Sequence, residues 1–231
     1  MADVLVFSPH PDDAELGMGG TIAKLLDQGK SVAIVDVTSG EPTPHGDEAT
    51  RAAETAEANR ALGNPIRENL GLPNRWLEVT VEARKSLAAA IRRHRPSLLF
   101  IPYPHDAHPD HLAVHALGLR ARFDAKLSKT DIPGPPHHVR RIVHFYCTHL
   151  RLIVVPSFVV DITPQVQAKR QAMAAYRSQF YVNQPRPGGV PDMVMDVCAY
   201  FGTRVGVPYA EPFHTDEPIA LADLGTLTTA V

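Results

Sequence analysis

The stretch DVLVFSPHPDDAELGMGGTIAKLLDQG, residues 3–29, reads as a strand, a polar loop and a helix in that order. Its first part, DVLVFSP (3–9), is a short β-branched apolar run closed by a proline, as in a buried strand. GGTIAKLLDQG then sets Ile22, Leu25 and Leu26 at helical spacing and ends on Gly29. The same signals recur downstream. SVAIVDVTSGE (31–41) is a second strand, and GDEATRAAETAEANRALG (46–63) is an Ala-rich helix, acidic at its start and closed by Gly63. VTVEARKSLAAAIRRHRP (79–96) is a helix stopped by Pro96, SLLFIPYP (97–104) a strand, and DAHPDHLAVHALGLRARF (106–123) a polar loop running into a helix. RRIVHFYCT and SFVVDIT are further strands, and PQVQAKRQAMAAYRSQF (164–180) is a helix begun by Pro164. This alternation predicts an α/β, Rossmann-like three-layer sandwich: a mostly parallel sheet covered on both faces and joined by right-handed crossovers. The reading is one domain over residues 1–231, with the Rossmann-like core to about residue 181 and a Pro/Gly-rich portion from 182, in which NQPRPGGVP (183–191) is an exposed loop.

Composition narrows the function classes. With 231 residues, 44% hydrophobic and 21% charged, the chain can bury one sizeable core. Its 23 basic and 25 acidic side chains give a net charge of −2 with no long run of either sign. That leaves no electrostatic footprint for nucleic acid or an anionic membrane. No stretch approaches a membrane span, and the N-terminus lacks a basic n-region and turns acidic at HPDD, so a cytoplasmic location is expected. Cys147 and Cys198 stand far from any CxxC spacing and read as two buried thiols.

In an open parallel sheet, ligands bind outside the carboxyl ends of the strands. Two polar motifs fall there: HPDD after the first strand, and HPDH (108–111) after SLLFIPYP. Together they bring His10, Asp12, Asp13, His108, Asp110 and His111 to one edge, where two adjacent aspartates need a cation. Two histidines and a carboxylate form a common catalytic zinc set with a position open for water. Pro9 and Pro11 restrict the loop so that His10 and Asp13 converge on one ion. Asp12 then stays beside the ion without binding it, placed to take a proton from water and later hand it to a leaving group. His108 and His111 share a face if the helix has begun, so one binds the metal while the other faces the reacting centre. His111 is taken as the third ligand, His108 as the group that stabilises an oxyanion, and Asp110 as the carboxylate that orients an imidazole.

Other residues carry less. A single His or Asp at a strand end is ordinarily a turn former or helix cap, and it is the pairing of the two motifs that points to a metal. GMGG (17–20) does not match the spacing of a dinucleotide-binding turn, and the only acidic residue near the second strand's end is Asp36, inside it. His45, His94, His137, His138, His144 and His149 read as surface or packing residues. Arg51, in the first turn of a helix that opens on the same edge, opposes the helix macrodipole and fits a substrate contact. Glu54 either pairs with Arg51 or forms a solvated pair one turn away.

SPHPDDAELGMGGTIAKL together with HPDH resembles the LmbE-like, or PIG-L, superfamily of zinc-dependent deacetylases of N-acetylglucosamine derivatives. NLGLPN (69–74), YRSQF (176–180) and GVPYAEPF (206–213) are similar to the branch containing bacillithiol biosynthesis deacetylases. The resemblance implies that His10, Asp13 and His111 bind zinc, with ferrous iron as the other ion these ligands suit. It also implies Asp12 as general base, His108 as stabiliser of the charged intermediate with Asp110 as its support, and Arg51 as a contact to an acidic or sugar part of the substrate. In this branch the substrate is N-acetylglucosaminyl malate, and members are often hexamers. Asp106 stands where the mycothiol branch carries a tyrosine, and MDVCAYFG (195–202) lacks the basic residues expected from relatives. Deacetylation of another N-acetylated sugar or small amide is the competing activity. A non-catalytic nucleotide-binding module is the competing class, and it would have no need of Asp12.

Overall fold

β1 (Val4–Ser8) sits inside a seven-stranded sheet, hydrogen-bonded in parallel to β2 (Val32–Thr38) on one side and β4 (Leu98–Pro102) on the other. The computed structural model of the chain describes residues 1–150 and 152–221. The last ten residues of the Pro/Gly-rich portion therefore lie outside the described residues. The strand order is β3-β2-β1-β4-β5-β7-β6, with β3 at Ile66–Leu72, β5 at Arg141–Phe145, β6 at Phe158–Asp161 and β7 at Ala210–His214. β1 to β5 run parallel, and β7 alone is reversed, antiparallel to both β5 and β6. The chain winds outward from β1 to β3, then returns to start again at β4. The carboxyl ends of β1 and β4 thus flank the topological switch point, where such sheets open a crevice.

Helices cover both faces. α1 (Asp13–Asp27), α2 (Glu48–Ala61), α5 (Val166–Ala175) and α7 (Gly189–Arg204) contribute to one apolar layer, in which Ile22, Leu62, Met173 and Tyr176 are buried. α3 (Val81–His94) and α4 (Pro109–Ala125) cover the other face, with Leu87, Ile91, Val114 and Leu117 fully buried. The short α6 (Arg177–Phe180) follows α5.

The structure departs from the sequence reading at three places. β3 reads IRENLGL and was not predicted: it is an edge strand whose exposed and half-buried residues leave no apolar signal. NQPRPGGVP is a loop only as far as Gly188, because α7 begins at Gly189 and carries Pro191 in its first turn. α1 starts at Asp13 instead of after the glycines, and it breaks at Met18 (φ −151°, ψ 22°). Gly17 and Gly20 are required there, since a Cβ on them would lie 2.5 Å from Phe145 and 2.7 Å from Ile162.

A buried ion pair fills the break. Lys169 Nζ donates to the carbonyls of Glu15 (3.0 Å) and Leu16 (2.7 Å) and to Glu211 Oε1 (2.6 Å). The Glu211 carboxylate accepts from the N–H groups of Gly20 (2.9 Å) and Thr21 (2.7 Å). Side chains thus replace the helix's own hydrogen bonds where the ladder is interrupted.

Candidate metal centre and active site

The β1–α1 turn presents the first motif. Ser8 Oγ donates to the His10 carbonyl (2.6 Å) and accepts from Ala14 N–H (3.2 Å), folding the loop back on the strand end. Asp12 is held at φ 121°, a conformation an L-residue adopts only under constraint and one that accumulates at functional sites. The turn aims His10 and Asp13 at one point, with His10 Nδ1 3.1 Å from Asp13 Oδ2. The second motif opens α4, where Pro109 is the first helical residue and His108 is the N-cap, accepting on Nδ1 from Asp110 N–H (3.2 Å). His111, one turn in, sets Nε2 3.2 Å from Asp13 Oδ2 and 3.3 Å from His10 Nδ1.

Three ligand atoms from two distant motifs therefore make a nearly equilateral triangle of 3.1–3.3 Å edges. An ion held in a tetrahedron at zinc-like bond lengths needs neighbouring ligand atoms about 3.3 Å apart, so the site fits a divalent cation. Electrostatics agrees. Burial disfavours the charged form of His10, but hydrogen bonds to Asp110 and Asp13 outweigh it and raise the imidazole to about 9. His111 is raised by the Asp13 charge despite its burial, and Asp13 is held far below the carboxylate range by the two histidines. The cluster thus favours positive charge at its centre. Cys147 Sγ also lies within 4.8 Å of the Asp13 and His111 ligand atoms. Burial pushes its thiol up to about 11.

Each ligand imidazole has its own carboxylate behind it. Asp110 Oδ2 lies 3.0 Å from His10 Nε2 and is fixed in turn by the N–H groups of Arg75 (2.7 Å) and Leu77 (3.3 Å). Asp110 therefore supports His10, and the expected support of His108 is corrected: to His108 it gives only a backbone N–H. Asp106, read in the sequence only as a missing tyrosine, holds His111 Nδ1 at 3.0 Å. Such outer carboxylates typically contribute 10–100-fold to metal affinity. Asp106→Ala is therefore expected to weaken zinc binding by about that factor, measured by chelator competition; unchanged affinity would remove Asp106 from the site.

Around the triangle stand Asp12, Arg51 and His108. Asp12 makes no ligand contact; its Oδ2 accepts from Arg51 Nη2 at 3.2 Å. Burial raises its carboxyl to about 7 against the lowering pull of Arg51. Burial and the neighbouring His10 and His111 lower His108 to about 4, so it is neutral; with Nδ1 accepting a backbone N–H, the proton sits on Nε2. Arg51 is only 4% exposed, stacks 5.5 Å above the Tyr176 ring, and its Nε and Nη1 find no partner among the described residues. Below it, Arg67 binds Asp36 (2.8 and 3.0 Å) and Glu15, so Asp36 is spent on an ion pair and not on a nucleotide.

Glu54 does neither of the things expected of it: its two oxygens accept from Ser178 N–H (2.7 Å) and Oγ (2.8 Å), which pins the YRSQF segment over the site. His45 and His138 are exposed and His94 and His144 are buried. His149 is not a remote packing residue. Its ring lies 5.1 Å from those of both His108 and His111, and it lines a cavity of about 330 Å³ with His10, Asp12, Arg51 and His108.

Comparison with known proteins identifies the family. A family profile described as PIG-L, GlcNAc-PI de-N-acetylase, matches residues 5–122, which include both motifs. Diacetylchitobiose deacetylase of Thermococcus kodakarensis is 32% identical over 90% of this chain and 80% of its own. A probable N-acetyl-α-D-glucosaminyl L-malate deacetylase of Bacillus cereus is 32% identical over 76% of this chain and 83% of its own. The crystal structure of a conserved Thermus thermophilus protein superposes with a TM-score of 0.88 at 40% identity, covering 96% of this chain and 98% of that one. The chain belongs to the PIG-L, or LmbE-like, family of de-N-acetylases.

Proposed function

We propose that the chain is a zinc-dependent cytoplasmic hydrolase that removes acetate from an N-acetylglucosaminyl glycoside with an acidic aglycone, N-acetylglucosaminyl malate being the leading candidate. The observation that carries the chemistry is Asp12, a strained carboxylate not spent on the ion and tethered beside the ligand triangle. His10, Asp13 and His111 would hold a divalent cation, which would supply Lewis acidity and lower the pKa of water; zinc is the proposed ion and ferrous iron the alternative. Asp12 takes the proton from the attacking water and returns it to the leaving nitrogen. His108 Nε2–H donates to the carbonyl oxygen as negative charge builds on it. Asp110 and Asp106 hold the two ligand imidazoles in the required tautomer.

Arg51 supports the acidic aglycone, since a buried guanidinium with unpartnered nitrogens at a pocket wall suits a carboxylate. Similarity to diacetylchitobiose deacetylase over 90% of the chain supports a second reading, in which the aglycone is another amino sugar. Association into a homo-oligomer, a hexamer by family likeness, would cover Trp76, which is 82% exposed.

Amine release from N-acetylglucosaminyl malate, N,N′-diacetylchitobiose and N-acetylglucosamine separates these readings when the metal-stripped protein is compared with the zinc-reloaded one. We expect zinc-dependent turnover that favours the malate glycoside at least about tenfold, the worth of one charge-assisted hydrogen bond. Preference for the disaccharide would replace the acidic aglycone, and no turnover of any of the three would end the deacetylase assignment.

A further inference from the structure

A second cavity of about 300 Å³ shares lining residues with the one at the metal centre. Its walls come from α1, from the segment after β5 and from α7, with Leu16, Cys147, Val194, Val197 and Phe201 among them. Two observations join it to the chemistry. Leu16 and Thr148 line both this cavity and the one that holds Asp12 and Arg51. Cys147, which lines the second cavity, has its sulfur within 4.8 Å of the Asp13 and His111 ligand atoms.

The two cavities differ in what they can accept. The one beneath Arg51 offers guanidinium, amide and carboxylate groups from Arg51, Asn74, Gln179 and Asp12, as a sugar's hydroxyls require. The second offers few: besides the hydroxyls of Tyr146 and Thr148 and the Cys147 thiol its walls are apolar, with Leu150, Leu152 and Val154 lining it while Ile153 between them is fully exposed. Sugar hydroxyls placed there would lose their hydrogen bonds to water without replacement, whereas methylene groups gain from the transfer. The stretch 195–202, without the basic residues its relatives led one to expect, supplies Val197, Cys198 and Phe201 to this wall.

We infer that the apolar cavity receives the acyl chain of the scissile amide, so that beyond N-acetyl amino sugars this protein also hydrolyses those with six to eight acyl carbons, and hydrolyses them faster. The inference rests on the deacylase reading of the same centre and extends it to the acid half of the amide. In the reaction the oxygen of water bonds to the carbonyl carbon, the C–N bond breaks, and the nitrogen takes up a proton, giving a fatty acid and a free amino sugar. The cavity has room for on the order of ten water-sized groups at the ~30 Å³ that a water claims in the liquid.

The test measures kcat/KM of the zinc-loaded protein for N-acetyl-, N-butanoyl-, N-hexanoyl- and N-octanoylglucosamine, with octyl N-acetylglucosaminide as a control that carries the chain on the other side. Each buried methylene is expected to raise kcat/KM about fourfold, so hexanoyl, with four more of them, exceeds acetyl by roughly two-hundredfold. In Val197→Trp, an exposed position where the indole fills the cavity without displacing the core, the octanoyl-to-acetyl ratio is expected to fall at least tenfold. Rates that decline beyond acetyl, as they would if a second copy of the chain filled the cavity, overturn the inference while leaving the deacetylase reading intact. A gain only for the octyl glycoside overturns it by assigning the cavity to the aglycone. A ratio unmoved in Val197→Trp overturns it as well, and no hydrolysis of any substrate removes the deacylase reading and the inference with it.

Discussion

Asp12→Asn is expected to lower kcat about 10³–10⁴-fold while zinc content and thermal stability stay close to those of the unaltered protein, the upper range for loss of a single general acid–base group. The three ligand atoms come from His10, Asp13 and His111, so the substitution removes no metal contact. Asparagine is among the few residues that tolerate positive φ, and an amide oxygen still accepts from Arg51, so the turn at φ 121° survives. What disappears is a group able to hold a proton between its removal from water and its delivery to the amine. A loss below tenfold would show that Asp12 is structural and would reopen the non-catalytic reading. The pH profile gives a second check whose sign follows from the geometry. Burial raises the Asp12 carboxyl and Arg51 lowers it. Replacing Arg51 by Met removes the lowering influence, so Asp12 takes up its proton at higher pH and the acid limb of kcat/KM moves upward. A downward or absent shift would mean that Arg51 does not act on the base.

The ligand triangle was legible because its residues sit at the ends of β1 and β4, and strand ends are what periodicity and prolines mark best. Anything that required knowing the path of a loop was not legible. Asp106 stands only five residues before His111, yet nothing in HDAHPDH says which carboxylate faces which ring nitrogen. The sequence reading gives Asp110 to His108, two residues before it, whereas the carboxylate reaches His10, 100 residues away. Glu54 and Ser178 meet because α2 and α6 converge above the site, a contact that depends on the order in which the helices pack. β3 carried no signal because an edge strand with charged residues in place of an apolar face looks like a loop. His149 was passed over because its segment, THLRL, has neither helical nor strand periodicity.

The glycines of GMGG, which the sequence shows only as no match to a dinucleotide-binding turn, and Glu211 in GVPYAEPF are parts of one device, and it carries the largest expected effect on stability. Lys169 and Glu211 are almost fully buried and meet inside α1 at the point where its hydrogen-bond ladder is broken. Removing either partner leaves a buried charge without its counterion, which typically costs about 3–5 kcal/mol. For a chain of this size that is a fall in Tm on the order of 10 °C. Both Lys169→Met and Glu211→Gln are therefore expected to lower the calorimetric Tm by that amount; changes of 2 °C or less would show the pair to be dispensable. The double variant Lys169→Met/Glu211→Leu decides why the pair is there. Ordinary buried ion pairs can often be exchanged for apolar residues with no net loss. Here the exchange would strand the carbonyls of Glu15 and Leu16 and the N–H groups of Gly20 and Thr21, each at a cost of about 1–3 kcal/mol. The double variant should thus remain at least as unstable as either single one. Recovery toward the original Tm would mean that the charges only neutralise each other. Persistent loss would mean that they cap the broken helix, whose first turn, ahead of the break, is what holds Asp13 against the end of β1.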